Sequence, residues 1–348
     1  MRPAGAGPAP GARRVRGILL SLCLFSAAAA AAPGEALLPF ADLRALAVEV
    51  RQPPEACVLH QNMEAVDELG WRLLQLPQVE RAQSLPSLAR TINRLFSEGS
   101  PKFAVLPRNQ YTMVQAITPV PTSSRLLNAD CSTLWVQLEL KPAALRFTEL
   151  QPGLLRRQVD TAAVAALERV LAAERRQPRP WSRVTLQDQG VIVAVAVTAH
   201  GASILGAREL AVLREVTDEV FFAGGVDRSS VKSLFTPDVF WHDVENGTFV
   251  GGSVIDYKKG PASQAELQRR LEKSWNASGI ITADQRSTLV AARLLMRDPK
   301  TGERVDPALA LRLLNSELEV LRVRHGRWVQ IDAAIILPGG DLPRETRY

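Results

Sequence analysis

One succession of hydrophobic periods is written twice along this chain of 348 residues, and that repetition constrains its fold more than any other feature. In the first half, residues 43–51 read as a strand that stops at Pro53-Pro54. Leu59, Met63, Val66, Leu69 and Leu73 then recur at helical spacing. Residues 79–85 are extended, and Pro86 opens a second helix carrying Leu88, Ile92 and Leu95. Four prolines make residues 99–126 an irregular excursion. Leu134, Val136, Leu138 and Leu140 alternate with polar neighbours as a half-buried strand. Val159, Ala163, Leu167 and Val170 make a further helix, and residues 175–180 read as a linker.

The second half repeats this plan. Residues 191–197 are a β-rich run, and Leu210, Leu213, Val216 and Val220 form a helix that stops at Gly224-Gly225. Residues 226–235 are extended. Ser263 to Glu266 form a capping box ahead of Leu267, Leu271 and Trp275. A strand at 287–296 follows. Asp306-Pro307 caps a helix carrying Leu311, Leu314, Leu318 and Leu321, and a strand at 328–337 closes the half. Strand, helix, extended segment, minor helix, strand, helix, strand is the order of a split βαβ, ferredoxin-like unit with an insertion after its second strand. The predicted class is therefore α+β. Two such units, 43–177 and 184–338, each carry a small mixed or antiparallel sheet with helices on one face, and a polar tail covers 339–348.

A hydrophobic content of 46% suits a packed protein. After the first residues, no run reaches the ~18 uninterrupted apolar residues of a membrane span. Residues 1–32 read as an export signal: Arg13-Arg14-Val15-Arg16 precede a short apolar stretch and several small-residue cleavage sites. An uncleaved anchor is the rival reading. The formal charge is +6, and Arg2, Arg13, Arg14 and Arg16 lie within that segment, so the remainder is close to neutral. No basic run with interleaved aromatics points to nucleic acid. Cleavage leaves two cysteines, Cys57 and Cys131. An even count in an exported chain invites a disulfide, with two buried free thiols as the alternative. A bridge across so long a loop would stabilise by roughly 4 kcal/mol in the chain-entropy model.

Several stretches carry a family resemblance. In the first half these are Pro53-Pro54-Glu55-Ala56-Cys57, Leu106-Pro107-Arg108-Asn109-Gln110-Tyr111, Pro119-Val120-Pro121-Thr122-Ser123 and Leu127-Asn128-Ala129-Asp130-Cys131. In the second they are Thr217-Asp218-Glu219-Val220-Phe221-Phe222, the run from Val226 to Pro237, Gly251-Gly252 and Asp298-Pro299-Lys300-Thr301-Gly302. The first set resembles the second periplasmic loop of resistance–nodulation–division (RND) exporters of the MMPL-like branch, and the second set resembles their first loop. The loops stand in reversed order, without the membrane helices that carry proton coupling. The resemblance implies a non-enzymatic porter module in the periplasm, or one held at the inner membrane by its N-terminal segment. It would bind a hydrophobic or amphiphilic small molecule or lipid, or dock on RND-type membrane components. A vestigial or structural fragment with no ligand of its own is the alternative.

Candidate chemistry is sparse. His60, His200, His242 and His325 lack zinc-ligand spacing, and no phosphate loop or Gly-x-Ser-x-Gly elbow is present, so no cofactor is implied. In Trp241-His242-Asp243, adjacent strand residues point to opposite faces. Asp227-Arg228 reads as a surface pair or turn contact. If the chain is bacterial, as the resemblance implies, the sequons at Asn246 and Asn276 are chance matches. Domain junctions favour ligand sites. Trp135, Phe235, Phe240, Trp241, Phe249 and Trp275 are the aromatics placed as candidates for lining a cleft between the units.

Overall fold

Residues 34–245, 248–260, 263–340 and 342 are described by a computed structural model of the chain. The export-signal segment 1–32 lies outside them, as does the tail from 341 onward except Leu342.

Strand β1 (Ala45–Arg51) leads to helix α1 (His60–Leu74), β2 (Val79–Gln83), α2 (Leu85–Phe96) and α3 (Gln110–Ile117). Next come β3 (Thr133–Leu140), a hairpin of β4 (Leu145–Gln151) and β5 (Leu154–Val159), α4 (Thr161–Arg175) and β6 (Arg183–Gln187). The second half holds β7 (Ile192–Ala199), α5 (Ala207–Phe222), β8 (Val226–Lys232), a hairpin of β9 (Phe240–Glu245) and β10 (Thr248–Ser253), α6 (Gln264–Lys273), β11 (Ser287–Leu294), α7 (Pro307–His325) and β12 (Val329–Gly339).

Helix ends follow local chemistry. Ser84 and Ser87 cap α2 reciprocally, each satisfying the other's backbone N–H. Asp306 Oδ1 accepts from Ala308 N at 2.9 Å, and Pro307 opens α7. Gly225, at φ 80°, supplies the left-handed turn after α5. The box at Ser263 is half made. Ser263 Oγ accepts from Glu266 N, while the Glu266 carboxylate turns to Arg269 and Arg270, whose guanidinium groups hold it down to about 2.

Two sheets share one plan. In the first, β1 is flanked by β3 and β6, with β2 outside β3, and every neighbouring pair is antiparallel. In the second, β7 is flanked by β11 and β12, with β8 outside β11, again antiparallel throughout. Each array thus runs second, third, first, fourth in its own chain order. Alternation sets the faces. Leu46, Val48 and Val50 of β1 and Leu134, Val136, Leu138 and Leu140 of β3 bury against Met63, Val66, Leu69 and Leu73 of α1, Leu88 and Ile92 of α2, and Leu167 and Leu171 of α4. Each of these large side chains contributes about 1.5–3 kcal/mol by leaving water.

The sheets do not follow the boundaries expected at 177 and 184. The hairpin β4–β5 crosses into the second sheet, where β5 pairs with β12 in parallel, making that sheet six-stranded. In return β6, at the start of the second half, completes the first sheet. Side chains cross as well. Leu37, Phe40 and Leu43 sit in the second core, and Phe240 sits in the first. The described residues therefore cluster as one compact body. β7 is buried over nearly its whole length, so both faces of the second sheet are covered. Helices on one face describe the first sheet better than the second.

Two hairpins and a helix were not expected. The β4–β5 turn falls at Pro152-Gly153, a dipeptide that marks turns, and Gly153 takes φ 74°. β9–β10 occupies the insertion after β8, and α3 forms inside the proline-rich excursion, capped by Asn109. Cys57 and Cys131 are joined in a disulfide, with Cα atoms 5.7 Å apart across 74 residues. It ties the entry to α1 to the turn before β3. Among the described residues no helix is long and apolar enough to cross a membrane.

Candidate site at the junction of the two sheets

The second face of β3 decides what lies between the halves. Trp135, Gln137 and Glu139 alternate with the core residues and would face solvent in an isolated sheet. Here they face the second half. Trp135 is buried, and the Gln137 side-chain amide donates to the carbonyls of Ser124 and Arg125.

Polar contacts hold the junction. The Arg157 guanidinium, on β5, donates to Asp188 at 2.6 Å and to the carbonyls of Leu43 and Ala45. Lys232 at the end of β8 pairs with Asp42 at 2.5 Å. Arg125 donates to the Ser230 carbonyl. Arg81 donates to Ser278 Oγ at 3.1 Å, and the Gln83 amide donates to the Trp275 carbonyl at 3.0 Å, so β2 is stitched to the segment after α6.

Two hollows remain. The smaller, about 60 Å³, lies beside Trp135, Gln137, Gln189 and the Asp42–Lys232 pair. It is polar and has room for water only. The larger is an open groove of about 620 Å³. One wall comes from the first half and the lead-in segment: Pro39, Arg44, Glu80, Arg81 and Glu139. The other comes from the second half: Gln268, Leu271, Glu272, Trp275 and Ile281.

Charge in the groove is paired and partly dehydrated. Arg44 Nη1 donates to Glu80 Oε2 at 2.7 Å and also to the Leu140 carbonyl. Arg81 Nε lies 3.6 Å from Glu139. Burial pushes the Glu139 carboxyl up from its ordinary value, and the Arg81 guanidinium opposes that shift only in part.

Of the six predicted aromatics, Trp275 lines this groove and Trp135 lines the small hollow. Phe240 lies edge-on beneath Trp275 at 5.4 Å and supports it from the first core. Phe235 and Trp241 belong to the second core, where Arg269 and Arg270 stack on Trp241 at 5.6 and 5.2 Å. The Phe249 side chain lies outside the described residues. The charged wall was missed, although alternation along β3 already put Glu139 on the face away from the core.

His242 lies beside Phe240, and burial lowers its pKa. Asp243 turns away to Lys273, whose hydrogen bond holds its carboxyl below the usual range. Asp227 closes a turn by accepting from Ser229 N and Oγ, while Arg228 covers Phe221 and Phe222. Asn276, in the second sequon, is buried and donates to the Asp238 carbonyl. No group of three or more His, Cys, Asp or Glu side chains among the described residues is placed to hold a metal.

No protein-family model matches the chain, and neither a curated protein nor a solved structure matches it.

Proposed function

We propose that this chain is a non-enzymatic porter-type module, related to the periplasmic part of RND exporters, that binds an amphiphile in the groove between its halves. The groove carries the reading. At about 620 Å³ it has the size of a small-molecule site, and it sets an apolar patch of Leu271, Trp275 and Ile281 against a charged wall. An amphiphile divides itself in the same way. The strand order shared by both sheets supports two ferredoxin-like units. The Cys57–Cys131 bond fits an oxidising compartment, here the periplasm.

Affinity comes mainly from apolar area, roughly 25 cal/mol per Å² before the cost of association. Titration with N-phenyl-1-naphthylamine, a neutral environment-sensitive probe, tests this. Saturable fluorescence that changes little between low and high salt and is lost in Leu271→Asp is expected. No saturable signal, or one indifferent to Leu271→Asp, would leave a structural fragment without a ligand as the better reading.

A further inference from the structure

Helix α7 is apolar on two opposite sides. Leu311, Leu314, Leu318 and Leu321 are buried against the second sheet. At 3.6 residues per turn, Leu309, Leu313, Ser316, Val320 and Val323 fall on the opposite side. The four large residues are 45%, 52%, 58% and 81% exposed. Scattered exposed leucines need no explanation, but a continuous stripe does. This one is about 21 Å long. Its alternating spacing of four and three residues is that of a coiled-coil seam.

The flanks of the seam indicate what covers it. In heptad positions, Leu313 and Val320 are a, and Leu309, Ser316 and Val323 are d. Arg312 and Glu319 then fall at g, and Glu317 and Arg324 at e. In a parallel pair of identical helices, each g residue meets the partner's e residue five positions further on. Arg312 meets Glu317 of the second copy, and Glu319 meets Arg324 of the second copy. Two-fold symmetry repeats both, so all four cross-pairs are of opposite charge. In an antiparallel pair the register that sets Arg312 against Glu319 of the second copy sets Glu317 against Ala310, so only two opposite-charge pairs form there, against four in the parallel arrangement.

The monomer leaves these charges free to exchange. Among the described residues no acidic side chain pairs with Arg312. Glu319 holds Arg322 at 3.3 Å and Arg324 holds Glu215 at 3.0 Å, both at the surface, where such pairs contribute little. Glu317 faces an acidic flank on α5. Glu219 there is pushed up first by burial and then by Glu317, Asp218 and Glu215, so a guanidinium arriving from outside relieves repulsion.

We propose that the outer face of α7 is the seam of a parallel, two-fold homodimer, closed by Leu309, Leu313, Val320 and Val323 and registered by Arg312–Glu317 and Glu319–Arg324 contacts between copies. Two heptads make a short seam, so the dimer is concentration-dependent. This inference does not rest on the amphiphile reading.

Sedimentation equilibrium of the full exported chain across the micromolar range tests it. The wild type associates to a dimer. Val320→Asp abolishes association. Arg312→Glu weakens it about tenfold or more, the scale of close charge pairs across an interface. Arg312→Glu with Glu317→Arg restores it. All these positions are exposed, and circular dichroism of each variant checks that the fold is kept. A wild type that stays monomeric, or a dimer indifferent to Val320→Asp, would overturn the proposal. So would rescue by Arg312→Glu with Glu319→Arg in place of the Glu317 partner, which reports antiparallel helices.

Discussion

Arg157 and Asp188 meet at 2.6 Å inside the protein, with almost no exposed side-chain surface on either. Arg157 comes from the hairpin that the first half lends to the second sheet, and Asp188 from the turn between β6 and β7. The pair therefore locks the strand exchange. Arg157 Nη1 also donates to the Leu43 and Ala45 carbonyls, and Asp188 also accepts from Gly190 N. Charges this deep persist because nearly every polar atom has a partner.

Removing one partner should be costly. Arg157→Leu strands a buried carboxylate and takes the side-chain donor from the Leu43 carbonyl, while Gln189 still serves Ala45. We expect a loss of about 3–5 kcal/mol in urea unfolding. A loss below 1 kcal/mol would show that the hairpin is not held by this pair.

The disulfide closes a long loop around α1, α2 and α3. Cys57→Ser should lower stability by about 2–5 kcal/mol. Reducing the wild type should give the same denaturation midpoint as the variant. Equal midpoints for oxidised wild type and variant would mean that the bond is not made in the native protein.

Glu139 gives a pH prediction of definite sign. Its folded pKa lies above the ordinary 4.5 because burial disfavours the carboxylate. The folded state therefore holds the proton more tightly than the unfolded chain does. As pH rises from 4.5 through the folded pKa, stability falls. Glu139→Gln removes this penalty, so the variant should gain on the wild type at pH 7 and lose that advantage below pH 4.5. A variant less stable than wild type at pH 7 would show that the Arg81 contact outweighs dehydration.

In the groove, Trp275→Ala removes the largest apolar surface of one wall and also uncovers Phe240. We expect weaker probe binding together with a stability loss of about 3–5 kcal/mol. Arg81→Ala, which leaves the apolar patch intact, should loosen the contacts between β2 and the segment after α6 while changing affinity for a neutral probe little. A larger binding loss in Arg81→Ala than in Trp275→Ala would place recognition on the charged wall.

Most individual elements were legible in the residues, because each is set by its own period and caps. The alternation at Leu134–Leu140, the helical spacing from Met63 to Leu73 and the Asp306-Pro307 start all reflect forces acting within a few residues. The order of elements also sufficed to suggest small mixed or antiparallel sheets packed with helices, and the first sheet is antiparallel and the second mixed. Where each strand docks was a different matter. The hairpin β4–β5 satisfies its own backbone in either half, and only its fit beside β12, with Arg157 over Asp188, assigns it to the second sheet. The groove depends on the same long-range choice. Trp135, Gln137 and Glu139 form the polar side of a strand when read locally. They become the lining of a junction because the second half covers that face, and local sequence does not encode what lies across from a face.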